Sequence, residues 1–362
     1  MELTGEPKIN GNVTGMTENI SGCMKITERT TVPNGVYPCD VSFAPNKYSA
    51  AVDGDFTFMG NVTFELPVKL NGAAVVYGNA EVCTGCYFHD TQIYGTLSGT
   101  GFTFERLTVH GDFYAKELNT FSKGTLEVKG DFVCNYMAKG DNRVILSGAA
   151  KQTVSIGNGK FATLELCNDS EDGIFSYNPF AYDTLIRNGS RLVIGNSTGE
   201  FGWTLNENVI LDKTLILIGG TLDLNGHTLT LNGDFIHQDG VVKINGGTLI
   251  VNGDYRLQSV KNPAGSASSY DAGLGKLILS GENDVLDING NMYLQAGSAG
   301  QYAISAGNIS VSGNITEMSA LSFTTTGGNM LTLDGGTKQT VLLPGAAVAG
   351  LKIANASDKG VC

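Results

Sequence analysis

The sequence predicts an all-β chain that folds as a single elongated, right-handed parallel β-helix, in which short strands wind in coils of about 20 residues. Three observations favour this fold class. Apolar residues alternate over short runs, Asn-Gly pairs close many of those runs, and a Gly-(Asp/Asn)-apolar tripeptide returns at nearly regular intervals. Where these features are strongest, no helical periodicity separates the strands.

The segment from Thr221 to Gln258 shows the pattern most clearly. Its alternating apolar pairs, each followed closely by Asn-Gly, are Leu222/Leu224, Leu229/Leu231, Val242/Ile244 and Leu249/Val251. Alternation with a period of two is typical of a strand with one buried face. Asn-Gly favours an immediate turn, because Gly reaches positive φ without a Cβ clash and Asn tolerates it. The segment therefore predicts consecutive short strands joined by tight turns.

The tripeptide sets the length of a coil. It recurs from Gly60 to Gly78, and again from Gly233 to Gly253, at separations that suit three short strands and three corners. A left-handed solenoid would show hexapeptide repeats and nearly uniform coils of about eighteen residues. Neither holds throughout the chain, so the right-handed form is expected.

Composition narrows the possible functions. The chain has 49 Gly but only 8 Pro among 362 residues, which favours many tight turns over disorder. Its formal net charge is −12, and no basic patch of the kind that nucleic acids require is present. No apolar run reaches the length of a transmembrane helix, so no membrane span is predicted.

The periodicity is uneven along the chain. Residues 1–50 are expected to form a cap or irregular first coils, since the open end of a stack must be covered. Residues 51–362 are expected to form the β-helix itself. Irregular stretches near 174–206 and 260–275 predict two loop excursions.

A second repeat acts over a longer distance. Residues 142–170 and 329–357 align without gaps and share Lys-Gln-Thr-Val, a later Leu and a later Asn. This indicates an internal duplication. The first copy continues into further strands, whereas the second is followed at once by Cys362, so we expect the chain to be a fragment of a longer protein.

Several of these segments resemble repeats of very large secreted or surface-attached bacterial β-solenoid proteins of the adhesin or toxin-shaft kind. The matching segments are Gln152–Ser170, Gly202–Leu205 and Gly219–Gln258. The resemblance implies a shaft that carries something else, at the cell surface or outside the cell, with no cofactor. The partners it implies are neighbouring domains of a larger parent protein and cell-surface or glycan ligands.

Cys83, Cys86 and His89 form the sharpest local cluster of reactive side chains. A CxxC pair can hold zinc, form a disulfide or remain as two thiols. A structural zinc site normally needs a second ligand pair, and the sequence offers no second CxxC. We therefore predict no metal here, while disulfide and thiols both remain open.

Aromatic residues gather in the irregular stretch near 174–206. Tyr177, Phe180, Tyr182 and Trp203 lie there, and Trp203 is the only tryptophan of the chain. One interpretation is the small core of an excursion packed on the solenoid. The other is a patch that binds a ligand or a partner.

Parallel β-helices also occur as polysaccharide lyases and hydrolases, which need paired carboxylates. The candidate groups are Asp53 with Asp55, Asp169 with Glu171 and Asp172, and Asp284 with Asp287. All lie at predicted turns, and none is accompanied by a basic partner that would tune an acid or base. The sequence therefore predicts a non-enzymatic stalk or scaffold serving adhesion or display, with a carbohydrate-active enzyme as the alternative.

The Gly-Asp corners have a second interpretation, as calcium ligands. In the calcium-binding β-roll, acidic repeats are about nine residues apart. Here the acidic positions lie about one coil apart and exchange freely between Asp and Asn, which favours a turn cap that uses the side-chain oxygen. His110, His227 and His237 are isolated in sequence and are expected to be solvated or stacked.

Overall fold

The computed structural model describes residues 23–26, 35–43, 50–119, 121, 123–138, 140–178, 181–187, 190–196, 198–199, 201–261, 270–298, 300–319 and 323–362. Every regular element in these ranges is a β-strand. This part of the chain therefore offers no helix that could cross a bilayer.

The strands of the first half are short, as period-two alternation between turns predicts. They are β1 (Cys23–Ile26), β2 (Gly35–Tyr37), β3 (Asp40–Phe43), β4 (Ala50–Val52), β5 (Phe56–Phe58), β6 (Val62–Phe64), β7 (Val68–Val76), β8 (Ala80–Val82), β9 (Tyr87–Ile93), β10 (Leu97–Gly99), β11 (Thr103–Val109), β12 (Phe113–Ala115), β13 (Lys123–Val128), β14 (Phe132–Met137), β15 (Asp141–Leu146), β16 (Gln152–Gly159), β17 (Phe161–Leu166), β18 (Ile174–Ser176) and β19 (Tyr182–Arg187).

The second half continues in the same manner. Its strands are β20 (Leu192–Ile194), β21 (Gly202–Thr204), β22 (Val209–Leu211), β23 (Leu215–Asp223), β24 (Thr228–Leu231), β25 (Phe235–Lys243), β26 (Thr248–Val251), β27 (Tyr255–Val260), β28 (Tyr270–Ala272), β29 (Lys276–Leu279), β30 (Val285–Ile288), β31 (Met292–Leu294), β32 (Tyr302–Ile304), β33 (Asn308–Val311), β34 (Ile315–Glu317), β35 (Met330–Leu333), β36 (Val341–Leu342) and β37 (Leu351–Ile353).

The chain folds into two compact units. Unit 1 comprises Met1–Asn168 with Phe180–Ile186, and unit 2 comprises Asp169–Pro179 with Arg187–Cys362. In unit 1, successive coils pair in parallel, as from β9 to β11 and on to β13. Hydrogen-bonded residues on neighbouring coils of this unit are 17 to 19 residues apart in much of the stack.

Unit 2 is built by the same rule. Strands β22, β24 and β26 pair in parallel, and side chains one coil apart here are separated by 20 residues. One step lengthens to 37 residues where β26 pairs with β30, because that coil contains the extra strand β28. The predicted all-β parallel solenoid, with coils of about 20 residues, is thus confirmed in each unit.

The structure describes parts of both predicted loop excursions. The stretch 174–206 contributes β18, β19, β20 and β21, of which β20 and β21 both pair with β23. In the stretch 260–275, residues 262–269 lie outside the described chain, and β28 pairs antiparallel with β27. Tyr270 of β28 packs over an apolar cluster made of Phe175, Val193, Ile216, Ile236 and Val260. Most of the predicted cap at 1–50 also lies outside the described residues.

The core of each unit consists of alternate residues of successive strands. Leu229 and Leu231 on β24 are 0% exposed, and the residues in register with them on β26 are equally buried. In unit 1, Phe113 and Phe132 stack with ring centroids 5.3 Å apart. Burial of one face over many coils supplies the main stabilising term of this fold.

Glycine is required at the corners because neighbouring coils approach closely there. A Cβ on Gly253 would lie 2.4 Å from the Asp234 carboxylate oxygen and 2.7 Å from the backbone of Gly233. The Gly253 N–H also donates to the Gly233 carbonyl at 3.2 Å. No positive φ is involved at these two positions. The corner glycine therefore serves coil-to-coil contact.

Only some of the Asn-Gly pairs use the positive φ that the sequence analysis assumed. Asn225 and Asn245 have φ of 46° and 47°, each followed by a Gly with positive φ. Asn232-Gly233 and Asn252-Gly253 have no positive φ, so for these pairs the expected turn chemistry was wrong. Their asparagine side chains bond to the next coil instead, with Asn252 Nδ2 donating to Asn232 Oδ1 at 2.9 Å.

The internal duplication has a structural basis. Gln152 is fully buried and donates to the carbonyls of Val128 and Gly130, while its Oε1 accepts from Gly148 N–H and Asn168 Nδ2. In the second copy Gln339 is equally buried and makes the same four bonds to Val311, Gly313, Gly335 and Asn355. The shared glutamine thus satisfies backbone groups at an irregular corner in both units.

Candidate functional site

The corner carboxylates and amides form ladders that run along the coils. In unit 2, Asp254 N–H donates to Asp234 Oδ1 at 2.8 Å, and Asn291 N–H donates to Asp254 Oδ1 at 2.9 Å. The ladder continues to Asn314 at 2.9 Å. Both Asp and Asn present an oxygen that can accept this bond, which explains their free exchange. These oxygens cap backbone groups, as the turn-cap interpretation predicted.

The CxxC pair lies at a turn of unit 1 between β8 and β9. Cys83 and Cys86 are free thiols whose sulfur atoms are 3.7 Å apart. Cys86 is almost fully buried, and its sulfur accepts the Val68 N–H at 3.5 Å. His89 points away from the core, and its Nε2 lies 3.3 Å from the Glu105 carboxylate.

The environment of these thiols keeps them protonated. Burial raises the pKa of the Cys86 thiol to about 12, and burial also raises the pKa of Cys83. The thiolate is the form that binds metals and attacks disulfides, so both reactions are weakened at neutral pH. Within the described ranges, no group of three or more His, Cys, Asp or Glu side chains could hold a metal ion.

The predicted aromatic patch is not assembled on one surface. Trp203 is 1% exposed and pairs in register with Leu222, so its ring belongs to the core of unit 2. Tyr182 in unit 1 is also buried, at 4% exposed. Tyr177 is 40% exposed and lies near Phe175. Phe180 lies outside the described residues. Of the three described rings, Tyr177 is the one a partner could reach.

The carboxylates considered for catalysis are used in structural hydrogen bonds. Asp53 accepts from Asn71 Nδ2 at 2.7 Å, and Asp55 accepts from Ala73 N–H at 2.9 Å. Asp284 is fully buried and accepts the N–H groups of three residues, Gly246, Ser280 and Gly281. Asp55 and Asp284 therefore cap backbone groups, and Asp53 bonds to a side chain of the neighbouring coil.

His237 was expected to be solvated or stacked, and it is a stacked core residue. The side chain is 0% exposed, and its ring is parallel to that of Phe235, with centroids 5.7 Å apart. Nδ1 lies 3.0 Å from the Tyr255 hydroxyl and Nε2 lies 3.2 Å from the Gly240 carbonyl. A neutral imidazole satisfies both contacts, donating from Nε2 and accepting at Nδ1. Burial lowers the pKa of His237 to about 4.

One exposed feature escaped the sequence analysis, a column of side chains at a corner of unit 1. We call Met59, Tyr77, Tyr94 and His110 the aromatic stripe. The tyrosine rings stack with centroids 5.0 Å apart, and Tyr94 stacks on His110 at 4.2 Å. Met59, Tyr77 and Tyr94 are 50%, 50% and 44% exposed. The available signal was the residue preceding the corner glycine, which is Met, Tyr, Tyr and His in four successive coils.

Comparison with known proteins provides no assignment for the chain. No protein-family model, curated protein sequence or solved structure matches it.

Proposed function

We propose that this chain is a non-enzymatic stalk or scaffold segment of a secreted or surface-attached bacterial protein, serving adhesion or display. The shaft of a large toxin-delivery protein is a close variant of the same proposal. One observation carries it: the corner side chains bond along the stack, coil to coil, and do not converge on a common point. The ladder from Asp234 to Asn314 illustrates this arrangement.

Such ladders suit a load-bearing segment. Each corner side chain ties its coil to the next one through a hydrogen bond to the backbone, as Asp131 N–H does with Asp112 Oδ1 at 2.8 Å. A buried backbone group without a partner would cost about 1–3 kcal/mol, so the ladders stabilise every corner at which they occur. Repeat arrays gain their stability from these nearest-neighbour contacts. The resemblance of Gly219–Gln258 to repeats of surface solenoids supports the same role.

The location can be tested on intact cells. Antibodies raised against the purified chain are applied to the bacterium that produces it, before and after permeabilisation, and a second sample is treated with an external protease. We expect labelling of intact cells, or recovery of the chain from the medium, and loss of the cell-bound signal after protease. Labelling that requires permeabilisation would overturn the proposal.

The enzyme alternative is tested separately. The purified chain is incubated with a panel of soluble polysaccharides, and the release of reducing ends and of unsaturated sugars is measured. We expect no turnover above a heat-denatured sample. Turnover that is lost in Asp53→Asn or Asp55→Asn, while the far-ultraviolet circular dichroism spectrum stays unchanged, would establish a carbohydrate-active enzyme instead.

A further inference from the structure

The aromatic stripe has geometry that a stack of coils does not require. Its rings are nearly parallel, at 14° between Tyr77 and Tyr94 and 6° between Tyr94 and His110. Because the faces cover one another, the exposed parts are the ring edges and the phenol hydroxyls. Backbone bonds from Tyr77 N–H to Phe58 and from Tyr94 N–H to Val76 fix the rings one coil apart.

Unit 2 shows what the fold needs at this position. At three successive corners there the residue before the glycine is Asn232, Asn252 or Asn289, and these asparagines form their own ladder, while Ser312 holds this position in the next coil. Asn252 Nδ2 donates to Asn232 Oδ1 at 2.9 Å, and Asn289 Nδ2 donates to Asn252 Oδ1 at 2.8 Å. Asparagine therefore suffices for stacking the coils. The exposed apolar surface of the tyrosines in unit 1 is additional, and exposed apolar patches mark interaction sites.

The surroundings of the stripe are uncharged over most of its length. Across the corner glycines, the adjacent column consists of Asn61, Asn79 and Thr96, all neutral and polar. Asn79 Oδ1 accepts the Thr96 N–H at 2.8 Å, while its amide nitrogen retains two donor hydrogens. Carboxylates stand beyond both ends of this column: Asp40 accepts the Asn61 N–H at 2.7 Å, and Asp112 and Asp131 follow Thr96. With a net charge of −12 for the chain, this surface disfavours an anionic ligand.

His110 closes the stripe with an unsatisfied polar atom. Its Nε2 is buried and has no hydrogen-bond partner. Burial, together with the positive charge of Lys129, lowers the pKa of this imidazole despite the opposing effect of Glu127. The ring is therefore neutral at neutral pH, and its buried Nε2 is not accessible to a ligand on the surface.

We propose that the aromatic stripe and the neutral polar column beside it bind a neutral, extended polysaccharide lying along the coils. The rings repeat at 5.0 Å, close to the rise of one pyranose unit along a β-1,4-linked chain. Phenol hydroxyls and side-chain amides match a ligand rich in hydroxyl groups, and the exposed ring edges add apolar contact area beside them. This inference rests on the proposed adhesive function and specifies its ligand class.

The test measures binding of cellohexaose, mannohexaose and chitohexaose to the full chain by isothermal titration calorimetry, with hexagalacturonate as the anionic comparison. The variant is Tyr77→Asn with Tyr94→Asn, which places at both positions the residue that unit 2 uses there. Tyr136→Asn is the control, because Tyr136 is 43% exposed but lies outside the stripe. Thermal unfolding of each variant verifies that the fold is retained.

We expect at least one neutral hexasaccharide to bind, and the double variant to weaken that binding at least about tenfold, since each aromatic contact contributes about 0.5–1.5 kcal/mol. The affinity of the control variant should remain within about twofold of that of the parent chain, because surface substitutions away from a site usually have little effect. Equal affinity in the double variant, or preference for hexagalacturonate, would overturn the inference. The inference would also be overturned by a chain that binds none of the neutral hexasaccharides but self-associates in sedimentation experiments in a way that the double variant abolishes.

These outcomes separate the inference from the proposed function. A chain displayed at the cell surface that binds no neutral glycan refutes the stripe as a glycan site and leaves the scaffold role standing. Glycan binding by a chain that stays inside the cell refutes display and leaves the stripe standing.

Discussion

Acidification from pH 7 to pH 4.5 is expected to destabilise the folded chain by about 2–3 kcal/mol through His237 alone. The imidazole is 0% exposed, lies against Phe235 and bonds to Tyr255 and Gly240. Protonation would bury a charge and place a second N–H against the Tyr255 hydroxyl, which could respond only by turning its own hydrogen away. The imidazole therefore binds a proton more weakly in the folded chain than in the unfolded chain.

The magnitude follows from the two pKa values. Burial lowers the pKa of His237 from 6.5 to about 4. A depressed pKa means that the unfolded state binds the proton first, so the stabilising contribution is complete above pH 6.5 and declines as the pH falls towards 4. At about 1.36 kcal/mol per pKa unit, the whole contribution is on the order of 3 kcal/mol, and most of it is lost by pH 4.5.

The assay compares urea unfolding at both pH values for the parent chain and for His237→Gln, which cannot titrate and retains a donor near Gly240. The parent should lose about 2–3 kcal/mol more than this variant on acidification. His227→Gln, which removes a half-buried histidine, should lose as much stability on acidification as the parent chain does. An NMR titration that places the His237 transition near 6.5, or equal pH dependence of parent and His237→Gln, would refute the reasoning.

Three further outcomes are expected. Glu317→Gln should stabilise the chain at pH 8 relative to pH 4 in thermal melts, whereas Glu282→Gln should not. Burial raises the pKa of Glu317, so the folded state of the chain favours the protonated carboxyl. The stabilising contribution of this group is therefore complete at low pH and is lost as the pH rises through the raised pKa. Gly253→Ala should lower the unfolding midpoint strongly because its Cβ would lie 2.4 Å from Asp234, while Gly336→Ala, with no atom within 4 Å, should change stability by less than about 0.5 kcal/mol. Gln152→Leu should cost several kcal/mol in urea unfolding, about 1–3 kcal/mol for each backbone group left without a partner; a cost below about 1 kcal/mol would show that water replaces the amide.

The sequence alone predicted the fold well because the relevant information is local and repeated. Alternation identifies inward residues such as Leu229 and Leu249, and the corner tripeptide identifies the coil length. The role of Gly253 was not predictable in the same way. Glycine is required there because the backbone of Gly233, one coil below, lies too close for a Cβ atom. The sequence of a single coil does not reveal this contact.

The candidate sites were predicted less well, for a related reason. Trp203 stands in an irregular stretch whose pattern did not show which face points inward, and only the pairing with β23 places it in the core. The aromatic stripe was missed because Tyr77 and Tyr94 belong to separate coils. Stacking between coils converts residues that are distant in sequence into one surface, so surface features of a solenoid emerge only once the register is known.

The two copies of the duplicated segment help to separate fold from function in the absence of matching relatives. Gln152 and Gln339 preserve the same bonds, so the fold itself accounts for that identity. The residue before the corner glycine differs between the units. In unit 1 exposed aromatic residues such as Tyr77 stand there, and in unit 2 asparagines such as Asn252 stand there and form a ladder. Since the coils pair in parallel at both kinds of corner, parallel pairing alone does not select the rings. Selection for a ligand at the surface of unit 1 would account for them, and this is why the stripe, among the exposed features of the described chain, is the one to test first.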